Sequence, residues 1–334
     1  MSKNILIISN DRLLIKKDKV SSDYNDTINI IEGLTEKNKL GFFCRISNIV
    51  KNYLSQKKKY KKFLKLKLLD LTNINNYKIF MISVTPFNFF TLLFIKICNK
   101  NVSGFVYLRS DGYKEYYHKY GIFGYVIYSF MFNVVTSCLK TITVSKNMTG
   151  LHKNYSLITP SEIEQQWFLN RKKPSVKKPQ LLYLGRYKKE KGVFSLMEII
   201  DSIKDNLELK IVGVKGNILS KNNKIKFYKE LNSTKQIINC YDSCNIFVLP
   251  SYTEGAPKVI LESLARHRPV VIFKEIKHVK KNLRGIFVCK RDAEDFTKKI
   301  TYILSNYNKI INELKKNKIC TKRDFQNQLN KLIA

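Results

Sequence analysis

Short, unbroken apolar runs recur along this chain of 334 residues, and longer stretches with helical spacing lie between them. The runs Ile5 to Ile8, Ile79 to Val84, Phe105 to Leu108 and Ile142 to Val144 do not alternate apolar with polar positions. Continuous apolarity marks strands buried on both faces, so the pattern predicts a parallel sheet covered by helices on both sides. After Pro160 the chain turns polar, through Arg171-Lys-Lys-Pro-Ser-Val-Lys-Lys-Pro179. A fresh alternation then begins with Leu181 to Leu184, Leu209 to Val214, Ile246 to Leu249, Val270 to Phe273 and Ile286 to Cys289. The expectation is an α/β protein of two Rossmann-like doubly wound domains, 1–168 and 180–334, joined by a linker at 169–179 and facing across a cleft. No repeat of solenoid period is visible.

Two segments of the second half carry chemistry. Ser251-Tyr-Thr-Glu-Gly-Ala-Pro-Lys-Val-Ile-Leu-Glu262 follows the apolar run Asn245 to Pro250 and sets Glu254 and Glu262 eight residues apart. Gly255-Ala256-Pro257 reads as the strand-to-helix turn, with proline tolerated in a helix's first turn and free amides lining the bend. At roughly 1.5 Å of rise per residue the two carboxylates stand about 12 Å apart, enough to touch two parts of one extended ligand. Upstream, Gln180 to Gly185 reads as a strand, and Val193, Leu196, Met197, Ile200 and Ile203 keep helical spacing. Arg186-Tyr-Lys-Lys-Glu-Lys191-Gly192 lies between them. A guanidinium and an ammonium beside a helix N-terminus favour a diphosphate, although the GxxxxGK[ST] pattern of a P-loop is absent.

With these residues in hand, the chain resembles the retaining, nucleotide-sugar-dependent glycosyltransferases of family 4, which have the GT-B fold. LLYLGRYKKEKG matches their phosphate-binding turn and PSYTEGAPKVILESLARHRPVVIF their E-x7-E segment. The likeness is strong from Leu181 to Cys289; the N-terminal half matches only through generic features such as Thr141-Ile-Thr-Val-Ser145-Lys. The resemblance implies that Arg186 and Lys191 bind the donor diphosphate beside Gly185. It implies that Glu254 contacts the donor sugar, that Glu262 binds the ribose hydroxyls, and that amides of Gly255, Ala256, Lys258 and Val259, around Pro257, lie near the phosphates. It further implies retention of anomeric configuration and a final helix packing back on the first domain. The donor is then a nucleotide-diphosphate sugar, and the acceptor a glycan or glycolipid of a surface polysaccharide pathway.

Composition narrows the setting. At 44% hydrophobic residues the chain buries a sizeable core, which excludes a disordered protein. The seven cysteines are odd in number and lack CxxC or Cys/His metal spacing, as expected of reduced thiols in the cytoplasm. The net charge of +35 is spread evenly, with 25 basic against 9 acidic side chains over residues 1–160 and 36 against 17 over the rest. A nucleic-acid arm is lopsided and interleaved with stacking aromatics, so no nucleic-acid partner is expected. Lys51 to Lys67 is denser, with eight lysines and no acid, and reads either as a contact with anionic membrane or as a solvated helix face.

Gly121 to Leu139 has no charged residue and approaches a bilayer span in length. A full crossing is rejected, because the flanking runs Ser103 to Arg109 and Thr141 to Ser145 read as strands of one sheet; a buried or partly inserted helix is expected. Met1 to Ser9 breaks into charge too early for a signal-peptide core, which points to a cytoplasmic protein with at most peripheral membrane contact.

Moving a glycosyl group requires stabilising charge on the departing phosphate as the sugar becomes oxocarbenium-like. No Asp-x-Asp metal motif occurs, so Arg186 and Lys191 are expected to serve without a metal or other cofactor. Arg109-Ser110-Asp111-Gly112 follows a strand and supplies the acceptor candidates, with Asp111 as acceptor contact or proton acceptor, or else as a plain turn. Ser9-Asn10-Asp11 is expected to close the first strand, without the glycine-rich loop of many relatives. Arg266-His267-Arg268, and Phe273-Lys274-Glu275-Ile276 without glycines, depart from the family pattern and bear on donor choice or on activity itself. Lone His118 and His152 read as structural. A sugar-nucleotide epimerase on the same fold, and a non-catalytic basic binding protein for membrane or nucleic acid, are the competing readings.

Overall fold

The computed structural model describes residues 4–16, 19–46, 54–55, 63–99, 101–176, 178–203, 207–216 and 222–334. The chain divides into two compact units, Met1–Glu162 with Lys322–Ala334, and Ile163–Thr321.

The N-terminal unit runs β1 (Asn4–Lys16), β2 (Lys19–Ser22), α1 (Asn25–Thr35), β3 (Lys39–Ile46), β4 (Leu54–Ser55), β5 (Phe63–Lys65) and β6 (Tyr77–Ile82). It continues with α2 (Pro86–Cys98), β7 (Gly104–Leu108), α3 (Gly112–Cys138), β8 (Lys140–Thr143) and β9 (Tyr155–Leu157). Parallel pairings give the order β5-β3-β1-β6-β7-β8-β9, with Ile7 opposite both Phe42 and Phe80. Leu6, Ile7, Ile8, Phe80, Met81 and Val106 are fully enclosed, as an unbroken apolar run demands of a sheet covered on both faces.

Ser9-Asn10-Asp11 does not end the first strand. It forms an irregularity between Ser9 and Arg12, and the second apolar run Leu13-Leu14-Ile15 carries β1 onward to pair antiparallel with β2. The strand Lys39–Ile46 was not expected either, since Gly41 and Arg45 interrupt its apolarity. Lys51 to Lys67 lies mostly outside the described residues; its part Phe63–Lys65 is strand β5, parallel to β3, not a helix face.

The C-terminal unit contains β10 (Gln180–Leu184), α4 (Val193–Ser202), β11 (Glu208–Val214), β12 (Ile225–Lys229), α5 (Thr234–Asp242) and β13 (Ile246–Leu249). There follow α6 (Lys258–Ala265), β14 (Val270–Phe273), β15 (Ile286–Cys289), α7 (Ala293–Ser305) and α8 (Tyr307–Leu314). All pairings are parallel, in the order β12-β11-β10-β13-β14-β15. Strand order reverses between β10 and β13, the kind of place at the carboxyl ends of the strands where open α/β sheets bind ligands. Gly185 to Lys191 and Ser251 to Pro257 leave the sheet at that place.

Arg266 and Arg268, in the segment that departs from the family pattern, are 1% and 2% exposed. Arg266 donates through Nε to Asp242 Oδ1 (2.9 Å) and through Nη2 to Asp242 Oδ2 (2.7 Å). Its remaining hydrogens reach the carbonyls of Trp167, Leu169 and Asn170, while Arg268 takes those of Tyr241 and Lys172. The pair thus ties the entry segment, including Leu169 to Lys172, onto α5 and α6. The chain's final helix α9 (Lys322–Ile333) packs on α1 in the N-terminal unit, where Asn330 Nδ2 donates to Gly33 O (2.9 Å) and Lys322 pairs with Glu32 (2.5 Å).

Candidate functional site

Lys191 closes a single 3₁₀ turn, Lys189–Lys191, and Gly192 then starts α4 with φ 67°. Only glycine fits there, since a Cβ would overlap the Pro250 carbonyl oxygen at the end of β13. This close approach of two crossovers brings Lys191 Nζ to 2.7 Å from Glu254 Oε1. Ser251 Oγ donates to the same oxygen at 2.7 Å. The two side chains are 23% and 13% exposed, so the pair is partly shielded and still open to solvent. Pro257 stands at the N-cap of α6, one position before the helical turn where it was expected, and no side chain caps α6 or α4 at the N-terminus. Both helices thus point their N-termini, where the dipole favours an anion, out of the two crossovers.

The other predicted donor residues are placed differently. Arg186 is 66% exposed and approaches Glu190 at 4.0 Å. Glu262 is half-buried on α6, its Oε2 accepting from the Tyr241 hydroxyl at 3.0 Å. Burial, then the neighbouring Glu262 carboxylate, pushes the Tyr241 phenol well above its ordinary range, so it stays a donor. Gly185 lies against Tyr183, whose hydroxyl donates to Arg186 O (2.7 Å). The structure joins Lys191 to Glu254 directly and holds Glu262 through a buried phenol.

Two supporting residues escaped the sequence reading. Arg291 donates to Pro250 O (2.8 Å), Ser195 Oγ (2.7 Å) and Glu275 Oε1 (2.8 Å), with its guanidinium between the rings of Tyr252 (4.1 Å) and Phe273 (4.4 Å). Burial opposes ionisation of Glu275, but the Arg291 hydrogen bond, a backbone hydrogen bond and the Arg291 charge together outweigh it and hold the carboxyl below its usual range. The glycine-free Phe273-Lys-Glu275 segment thus contributes one ring and one carboxylate to a clamp on the site loop. His278 Nε2 lies 2.8 Å from Glu254 O and fixes that loop from the other side. A cavity of about 560 Å³ opens elsewhere on this unit, at the amino end of β15 beside Lys281, Arg284 and Lys299, and none of the predicted donor residues lines it.

In the N-terminal unit, Arg109 spends its guanidinium internally: Nη2 donates to Asp11 Oδ1 (2.6 Å) and Nη1 to Asp11 Oδ2 (2.9 Å), over the Tyr24 ring at 4.9 Å. Burial disfavours its charge, but the hydrogen bond to Asp11 together with the nearby charges of Asp11 and Asp26 more than compensates and raises its pKa. Asp111 is the N-cap of α3, with Oδ1 accepting from Lys114 N (3.1 Å), and Ser110 precedes it. Three buried polar atoms, Asn10 Oδ1 within β1, Ser83 Oγ just after β6 and Tyr107 Oη in β7, have no hydrogen-bond partner among the described residues. Ser83 also adopts φ 66°, an uncommon backbone conformation for a side-chain-bearing residue. His152 is held by Thr141 Oγ1 (3.3 Å) and Asn154 O (2.7 Å).

Residues 165–320 match the family described as glycosyl transferases group 1. That stretch contains every predicted donor residue. A protein of Bacillus subtilis, named provisionally as a teichuronic acid biosynthesis glycosyltransferase, is 34% identical over 93 residues, 27% of this chain and 23% of that protein. The Campylobacter jejuni N,N'-diacetylbacillosaminyl-diphospho-undecaprenol alpha-1,3-N-acetylgalactosaminyltransferase is 27% identical over 139 residues, 39% of this chain and 36% of its own length. The matched stretches therefore span about a quarter to a third of these relatives. Sucrose-phosphate synthase from Thermosynechococcus elongatus superposes over 99% of this chain and 98% of its own, with TM-score 0.69 at 14% identity. The fold is GT-B. Within it, the group 1 match coincides with the unit whose two crossovers meet at Lys191 and Glu254.

Proposed function

We propose that the chain is a retaining, family 4-like glycosyltransferase that moves a sugar from a nucleotide-diphosphate sugar to a glycan or lipid-linked acceptor in surface-glycan assembly in the cytoplasm. The contact of Lys191 with Glu254 at the β10–β13 switch point carries this reading, because it sets a phosphate-binding cation beside a carboxylate suited to sugar hydroxyls. The group 1 match over residues 165–320 and the likeness to two glycan-building relatives support it. A diphosphate takes over the ammonium of Lys191, joined by Arg186 and the first amides of α4 and α6. Glu254 is then free to orient the sugar and to offset the positive charge that develops at the anomeric carbon. The bond from that carbon to the phosphate oxygen breaks, with its electron pair leaving on the diphosphate. An acceptor hydroxyl forms the new bond, and its proton passes to Asp111 or to the departing phosphate. These cations do the work a metal does elsewhere, in keeping with the missing Asp-x-Asp motif.

The N-terminal unit supplies acceptor contacts, with Asn10, Ser83 and Tyr107 as unused polar groups beside Arg109, Ser110 and Asp111. Thermal-shift screening against UDP-, GDP- and ADP-sugars tests the donor assignment. A donor at about 100 times its dissociation constant adds about 2.7 kcal/mol of stability, and a panel that shifts nothing overturns the reading. Glu254→Gln or Lys191→Ala is expected to cut turnover at least roughly tenfold while the fold persists. Asp111→Asn separates two roles, because asparagine caps a helix equally well but accepts no proton. Full activity in that variant leaves Asp111 a cap alone. Conversion of the nucleotide sugar to its epimer without any acceptor favours the epimerase.

A further inference from the structure

Helix α3 is long and apolar enough to cross a bilayer, yet only 28% of its most apolar 18-residue window is buried. It cannot be a span. Its two ends return to adjacent parallel strands, with Phe105 opposite Lys140 and Leu108 opposite Thr143, so α3 is a crossover lying on one face of the sheet. Gly124, Tyr128, Met131, Phe132 and Val135 turn inward to the core. The outward positions are also apolar: Ile122, Phe123, Val126, Ile127 and Phe130 are 53–77% exposed. Phe89 of α2 touches the Phe130 ring (5.9 Å) and the ring of Phe90, itself 66% exposed, so the band extends onto α2. A contiguous band of this kind on a soluble surface marks a contact site.

The chemistry around the band selects its partner. Exposed Tyr117, Tyr120 and Tyr125 flank it, and such rings, apolar in body and polar at the tip, settle at headgroup level. Lys114 and Lys119 stand at one end; Lys96, whose Nζ lies 3.2 Å from Cys138 Sγ, and Lys140 stand at the other. No acidic residue occurs from Tyr116 to Lys140. Gly121, at φ 63° and ψ −148°, breaks the helix between its tyrosine-rich first turns and its apolar remainder. We propose that the outer face of α3 docks on an anionic lipid surface, lying in the interface with Phe123 and Phe130 inserted. The inference rests on the N-terminal unit alone and holds whichever reaction the C-terminal unit performs.

Sedimentation of the full chain with vesicles of phosphatidylcholine containing about a quarter phosphatidylglycerol tests it, against pure phosphatidylcholine. Binding to the anionic vesicles, weakened by salt, is expected, and Phe123→Glu/Phe130→Glu should lower it at least roughly tenfold with an unchanged melting temperature. Should the double variant unfold, the Phe123→Trp variant decides, since brominated lipid should quench its added fluorescence. Vesicle binding that survives the double substitution, equal binding to both vesicle types, or unquenched emission overturns the proposal. So does a dimer that the double variant abolishes in a protein that ignores vesicles, which assigns the face to a second copy.

Discussion

Asp242→Asn tests whether the Arg266-His267-Arg268 segment holds the C-terminal unit together or tunes its donor site. The carboxylate accepts both forks of Arg266 and lies 3.5 Å from Arg268 Nη2, with all three side chains at most 5% exposed. Removing one partner of a buried pair costs about 3–5 kcal/mol, because the other charge is left uncompensated. Here the guanidinium groups keep their carbonyl acceptors on Trp167, Leu169, Asn170 and Tyr241, which holds the loss near the lower end, about 3 kcal/mol. For a unit of this size each kcal/mol moves the midpoint by about 2–4 °C, so a fall of about 6–12 °C is expected. The chain carries a single tryptophan, Trp167, which is 3% exposed and packs edge-on to Tyr241 at 6.0 Å while its carbonyl binds Arg266. Its emission reports directly on the network in a thermal melt. A midpoint within about 2 °C of the parent, with unchanged emission, refutes the structural role. A change in nucleotide-sugar preference at unchanged stability instead restores the donor-tuning reading.

Two further outcomes follow from the same geometry. Arg291→Lys is expected to cost about 2 kcal/mol in urea unfolding, since a point charge cannot serve Pro250, Ser195 and Glu275 at once or fill the space between two rings. His267 is pushed down to about 4 from its ordinary 6.5, by burial first and then by Arg171, Lys315, Arg268 and Arg266. The unfolded chain therefore binds the proton more readily, and stability should fall as pH drops from 6.5 toward 4. The group is only partly buried, so screening reduces the effect to about 1 kcal/mol. His267→Asn should abolish that slope, and asparagine also tolerates the φ of 54° at this position, as unfolding at pH 5 and 7 will register.

The apolar runs alone determined strands that must be buried on both faces, hence parallel sheets in two units, and two loops of the second carried the likeness to glycosyltransferases. Lys191 and Glu254 were legible because each stands next to a strand end, where chain direction already fixes which way a loop leaves the sheet. Tertiary structure decided what no local pattern encodes. Arg266 and Arg268 stood out in the sequence only as a departure from the family pattern; the fold buries both and pairs them with Asp242, a residue no motif singled out. Arg291 stands 96 positions from Ser195 and 41 from Pro250, and it meets both because β13, β14 and β15 follow one another in the sheet. Asp11 and Arg109 likewise meet only in the folded sheet, where β6 alone separates β1 from β7. Sequence spacing carries the energy of helices and strands, whereas pairing of distant charges depends on where the low-dielectric interior closes, and only the folded chain sets that.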